Sequence, residues 1–121
     1  MINETERRHM NMVRDLAKPG KTIVDEMSAS QAHILHMAIG ISGEAGELLD
    51  AVKKFVIYQK PLDKDNVIEE LGDLEFYMEG MRDFLKVSRE AVLDANYDKL
   101  SKRYEGLKYS NTAAQERADK K

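Results

Sequence analysis

Two runs of apolar residues, each spaced alternately by four and three, constrain the fold of this chain more than any other feature. In the first run Ile34, Ala38, Ile41, Ala45, Leu48, Val52 and Phe55 keep that rhythm, and in the second Val67, Leu71, Leu74, Met78, Met81 and Leu85 do. The repeat is that of a helix burying one stripe against another helix. The loop between them, around Lys60, Pro61 and Leu62, is short, so the two helices should pack antiparallel. A third stripe, Leu93, Tyr97, Leu100, Tyr104 and Leu107, follows on the next segment. With few β-branched residues and two prolines, the chain is predicted to be all-α, an antiparallel bundle of four main helices.

Local signals set the boundaries. A first helix over residues 3–17 stops at Pro19 and Gly20, and a short connector follows. Ser28 or Ser30 caps a long helix to about residue 58. Asp63 or Asp65 caps the next, to about residue 86, and Ser88 with Glu90 starts another that ends near Glu105 and Gly106. The tail from Ser110 onward is polar, with one short helical stretch. A single domain over residues 1–121 is expected, with its core at about 28–105 and a polar tail at about 106–121.

Several function classes are excluded. The absence of cysteine removes disulfides, thiolate metal sites and thiol nucleophiles. No run approaches the roughly 20 apolar residues of a membrane span, so no membrane partner is expected. The opening residues lack the apolar stretch of a signal peptide, which leaves the cytoplasm as the expected compartment. A net charge of −3, with 34% charged residues of both signs, is no footprint for nucleic acid.

The chemistry lies in two acidic pairs. Glu44 and Glu47 on the first seam helix, and Glu70 and Asp73 on the second, are each spaced to put both carboxylates on one side of a helix. At about 100° per residue, Glu44 and Glu47 fall roughly 80° and 140° to one side of their seam, and Glu70 and Asp73 roughly 60° and 120° to the same side of theirs. In an antiparallel pair these flanks meet, so four carboxylates converge beside the seam, while Glu69 points away. Crowded carboxylates repel, and a divalent cation relieves the repulsion. Hard oxygen ligands alone suit Mg²⁺, with Mn²⁺ as a substitute, and the Glu-x-x-His spacing of di-iron bundles is missing from these helices.

Other residues extend the site. Lys54 can lean toward the acidic side of its helix. Asn96, Lys99 and Arg103 form a polar flank beside the third stripe, and an amide, an ammonium and a guanidinium on one face suit a phosphate chain. Gly43, Gly46 and Gly72, beside the acids, provide either close helix packing or room for a ligand. His33 and His36 are three apart, and a partly buried pair without a ligand role is the simpler reading. Phe76 falls opposite its seam, which points to a second apolar face and an oligomer.

The run from Gly40 to Leu48, followed by Glu69, Glu70, Leu71, Gly72 and Asp73, resembles the MazG-like family of all-α nucleoside triphosphate pyrophosphohydrolases, and the run from Asn96 to Tyr104 is similar to that family's third segment. The short single-domain form and the tail from Asn111 to Arg117 look like versions carried by bacteriophages and some bacteria, which would place the protein in a host cytoplasm. Where the family's fuller first motif often has a further acid just before the first Glu, this chain has Gly43.

The resemblance implies Mg²⁺ held by Glu44, Glu47, Glu70 and Asp73, with Lys54, Asn96, Lys99, Arg103 and Tyr104 near the phosphates and His36 toward the base. It implies hydrolysis of an NTP or dNTP to monophosphate and pyrophosphate, with dGTP or GTP as the substrate if the chain is similar to the narrower MazZ-like branch. A homodimer or homotetramer is expected. Glu47 is the candidate proton acceptor for the attacking water. A phosphoribosyl-ATP pyrophosphohydrolase and a non-catalytic partner-binding bundle are the alternatives.

Overall fold

A computed structural model describes residues 1–120, and among these the chain is all-helical. The residues form two compact units, Met1–His33 and Ile34–Lys121. The first holds α1 (Glu4–Leu16) and α2 (Gly20–Glu26). Asn3 starts α1 by a capping box, its side chain accepting from the Glu6 N–H at 2.9 Å while the Glu6 carboxylate accepts from the Asn3 N–H at 3.0 Å. The segment expected as a plain connector is instead the helix α2. Lys18 bridges to Glu26 at 2.6 Å and Lys21 to Asp25 at 2.6 Å across it, and these local pairs are what the apolar pattern could not register.

Helix α3 (Ala29–Val56) opens where Ser28 Oγ accepts from the Gln31 N–H at 3.1 Å and Gln31 returns the bond at 2.9 Å, which selects Ser28 over Ser30 as the cap. Helix α4 (Lys64–Leu85) is capped by Asp63 rather than Asp65, through the Asn66 N–H at 3.1 Å. Helix α5 (Arg89–Arg103) is capped by Ser88. Gly106, at φ 64°, takes the left-handed conformation beyond the end of α5. A 3₁₀ turn at Glu105–Leu107 leads to α6 (Asn111–Glu116) and a second turn at Ala118–Lys120, and all three return to touch α5.

The stripe by which α3 meets α4 differs from the expected one. The shielded positions of α3 are Ile34, Met37, Gly40, Ile41, Glu44, Leu48 and Ala51, and those of α4 include Val67, Glu70, Leu74, Tyr77, Met81 and Phe84. On each helix one row of the expected seam is kept, save for Phe55 at the end of α3, which is exposed, and the other is replaced by the residue just before it. Ala38, Ala45 and Val52 yield to Met37, Glu44 and Ala51, and Leu71, Met78 and Leu85 yield to Glu70, Tyr77 and Phe84. Both helices are thereby turned by roughly 50° toward their acids.

Reciprocal large-into-small packing accounts for the rotation. The Tyr77 ring sits against Gly40, where a Cβ would overlap it, and the Met37 thioether sits against Gly80 in the same way. These two bulky side chains fit only where the opposite helix has no side chain, so they fix the antiparallel register as well as the rotation. The displaced row stays in solvent: Val52, Leu71, Met78 and Leu85 are between 36% and 54% exposed. The α5 stripe is also reduced. Leu93, Tyr97 and Leu107 are exposed, and Leu107 lies beyond the end of the helix at φ 55°.

Candidate metal centre

The rotation places acids within the packing row instead of beside it. Glu44 and Glu70 replace apolar members of their rows and are half-buried, while Asp73, one turn after Glu70 on α4, is exposed. One carboxylate oxygen from each of the three lies within 4.8 Å of the others. Residues near the middle of α3 and α4 are brought together because the Gly40–Tyr77 and Gly80–Met37 contacts lock the register on one side of them.

The electrostatics of this cluster are unfavourable without a partner. Glu70 is pushed up from 4.5 to about 7, first by a hydrogen bond with the Glu44 side chain, then by burial, and then by the charges of Glu44, Asp73 and Glu47. Its Oε2 is buried with no hydrogen-bond partner. A buried, unpartnered carboxylate oxygen beside two further carboxylates is the arrangement a cation would satisfy. Glu44, Glu70 and Asp73 therefore fit a hard divalent ion, with oxygen as the only donor type.

Glu47 is exposed and stands outside the close cluster, one turn further along α3, although its charge reaches Glu70. Lys54 bridges to Asp50 at 3.2 Å on the solvent side of α3. Asn96 and Lys99 on α5 are exposed. Arg103 is engaged by the tail, its Nε donating to Asp119 Oδ1 at 2.9 Å, and both side chains are largely buried. The pair holds the Arg103 guanidinium above its ordinary value and the Asp119 carboxyl below its own. Tyr104 packs against Tyr109, with ring centres 5.8 Å apart. His36 meets the edge of Tyr77 at 6.0 Å. Gly43, Gly46 and Gly72 have open space where a Cβ would sit, so the close packing considered for them falls at Gly40 and Gly80 instead.

Sequence reasoning missed Tyr77, Met37 and Asp119. The signal for the first two was the facing of Gly40 and Gly80 with large residues in an antiparallel register. Asp119 carried no signal, because nothing in the tail's composition marks it as the partner of Arg103.

An antiparallel helical pair with acids from both helices gathered in its packing row defines, among the described residues, an all-helical protein with a carboxylate cluster able to hold a cation. The chain belongs to the MazG nucleotide pyrophosphohydrolase domain family, whose model matches residues 32–107 and so spans α3, α4, α5 and the turn after it. No curated protein and no solved structure matches the chain. Among the described residues, no helix is long and apolar enough to cross a membrane.

Proposed function

We propose that the protein hydrolyses a nucleoside or deoxynucleoside triphosphate to its monophosphate and pyrophosphate, with Mg²⁺, or Mn²⁺ in its place, held by Glu44, Glu70 and Asp73. The observation that carries this reading is the raised Glu70 carboxyl, its buried Oε2 without a hydrogen-bond partner, inside the three-acid cluster of a chain of this family. When bound, the cation supplies positive charge for phosphate oxygens and lowers the pKa of a water.

The chain's own residues carry the rest. Glu47, exposed and one turn from the cluster, accepts the proton of the attacking water. The water oxygen bonds to the α-phosphorus, the bond from that phosphorus to the bridging oxygen breaks, and pyrophosphate leaves with the electron pair. Asn96, Lys99 and Arg103, with Tyr104 beside them, contact the phosphate chain, and Arg103 exchanges its Asp119 partner for a phosphate to do so. His36, at the far end of α3 from Lys54, lies toward the base.

The reading includes an oligomer, a dimer or a tetramer of identical chains. Its support is the displaced row of Val52, Leu71, Met78 and Leu85, a second apolar stripe along α3 and α4 that this chain leaves in solvent, joined by the exposed Phe76. The packed four-helix bundle expected from the sequence would then be completed between chains.

The test is product analysis with the eight common NTPs and dNTPs, with and without Mg²⁺. Monophosphate and pyrophosphate in equal amounts, only with the metal, is the expected result. A folded protein that turns over none of them overturns the reading.

A further inference from the structure

The segment after α5 is held to that helix mainly by one charged contact. It follows the residues that the family model matches, 32–107. Gly106 and Leu107 take left-handed conformations that turn the chain. Ser110 Oγ then accepts from the Ala113 N–H at 3.0 Å to start α6, and Arg117, left-handed at φ 50°, ends it. The Lys120 N–H donates to the Arg117 carbonyl at 2.8 Å, and this last turn carries Asp119 back onto Arg103.

Two oxygens of Asp119 meet two nitrogens of Arg103, Oδ1 with Nε at 2.9 Å and Oδ2 with Nη2 at 3.5 Å. The Arg103 side chain is 16% exposed and that of Asp119 5%, so salt in solution screens the pair little. Apolar burial adds little to it. Among residues 108–120 the other shielded positions are Ala113 and Ala114, and Tyr109 stands mostly in solvent apart from its ring contact with Tyr104. A segment with so few buried apolar contacts opens locally once its charged contact is gone. Arg103 also lies in the wall of a cavity of about 470 Å³ lined by the end of α5 and by this segment, so there is space beside the pair.

A carboxylate that grips a guanidinium at two points offers it what a phosphate offers, two oxygens in a matching fork. Asp119 therefore holds the position on Arg103 that a phosphate would take. We infer that residues 108–120 form an autoinhibitory strap, latched by Asp119 on Arg103, which the polyphosphate of the nucleotide must displace. The inference rests on the pyrophosphohydrolase reading, from which Arg103 takes its role as a phosphate contact, and adds a regulation to that site. Strap closure and nucleotide binding oppose each other, so each weakens the other by the same factor. Only the fraction of chains with the strap open binds nucleotide at full strength.

The test is hydrogen exchange, read by mass spectrometry on peptides from residues 108–120 of the full chain, with inorganic pyrophosphate and Mg²⁺ as the probe. Pyrophosphate should speed exchange in the strap. Without ligand, Asp119→Asn should speed it about tenfold or more, the worth of one charge-assisted contact, while exchange in α3 and α4 stays at the wild-type level. In turnover, Asp119→Asn should lower the KM severalfold with kcat held. Arg103→Lys keeps the charge but loses the two-point grip, and in that background Asp119→Asn should leave KM nearly unmoved. A strap that exchanges no faster in Asp119→Asn than in the wild type, or that is indifferent to pyrophosphate, overturns the inference. A strap that loosens in both experiments while no nucleotide is turned over keeps the latch and overturns the reaction. Turnover with a KM indifferent to Asp119 keeps the reaction and overturns the strap.

Discussion

The ring of Tyr77 on α4 fills the space that a side chain at position 40 of α3 would need, so Gly40 is the only residue type that admits it. Gly40→Ala forces the ring or the helix to shift. Overpacking of this kind costs about 1–3 kcal/mol, against the roughly 1 kcal/mol that helix propensity returns for replacing a glycine, so the net effect is a loss. Urea unfolding should show that loss. Because the same contact sets the rotation of the acids, the variant should also bind Mn²⁺ more weakly. Gly43→Ala, with open space at its Cβ, should do neither and serves as the control.

Glu70 makes the metal-free protein sensitive to pH. Its folded value of about 7 lies above the ordinary 4.5, so between these values the folded chain keeps a proton that the unfolded chain has lost. The resulting stability is fully present below pH 4.5 and is lost as pH rises through about 7. The melting temperature without metal should therefore fall from pH 5 to pH 8, and Glu70→Gln should flatten that profile. Protons compete with cations for the same oxygens, so saturating Mg²⁺ should raise the melting temperature more at pH 8 than at pH 5.

Removing one charge from the cluster separates activity from stability. Glu44→Gln and Asp73→Asn should each reduce turnover on the order of a hundredfold or more while leaving the circular dichroism spectrum unchanged. Without metal, Glu44→Gln should be no less stable than the wild type, because it removes the main neighbour that raises Glu70. Near-normal rates in both variants would remove the cation site from the mechanism.

The Arg103–Asp119 pair gives the opposite pH behaviour. Asp119 is held below its ordinary value of 3.8, so its contribution is present above that value and is lost as pH falls through the lower folded value. Asp119→Asn should lower the melting temperature at pH 7, and the gap to wild type should close in strong acid. If Arg103 must leave this pair to meet phosphate, the same variant should lower the KM for the nucleotide, whereas Arg103→Ala should raise it.

The exposed row predicts self-association. Leu71→Glu and Val52→Asp place charges on the apolar stripe without touching the cluster and should shift light-scattering masses toward a single chain. The wild-type melting temperature should then rise with protein concentration.

Much of the fold could be read from the sequence. Ser88, and a choice of two candidates at each of the other starts, Ser28 or Ser30 and Asp63 or Asp65, are legible because a cap is a side-chain oxygen three residues before the backbone N–H it serves, and the structure selects Ser28 and Asp63. The convergence of Glu44, Glu70 and Asp73 followed from spacing and antiparallel pairing. The rotation did not, because the rows on either side of Ile34, Ile41 and Leu48 are similarly apolar: Ala38 and Val52 compete with Met37 and Ala51 on nearly equal terms. Only the matching of Tyr77 to Gly40 across the pair breaks the tie, and that is a tertiary property. The same holds for Asp119, sixteen residues from the arginine it binds.

Because two acids occupy the row by which α3 and α4 pack, the cation proposed for them would share its side chains with helix pairing. A site on an outer surface could empty without consequence for the rest of the molecule. Here crowded acids stand between the helices, so on the proposed reading loading with metal would itself be a contribution to folding. Inside a cell, chains that open more often are the ones proteases remove. The standing amount of this protein should therefore track the supply of free divalent cation.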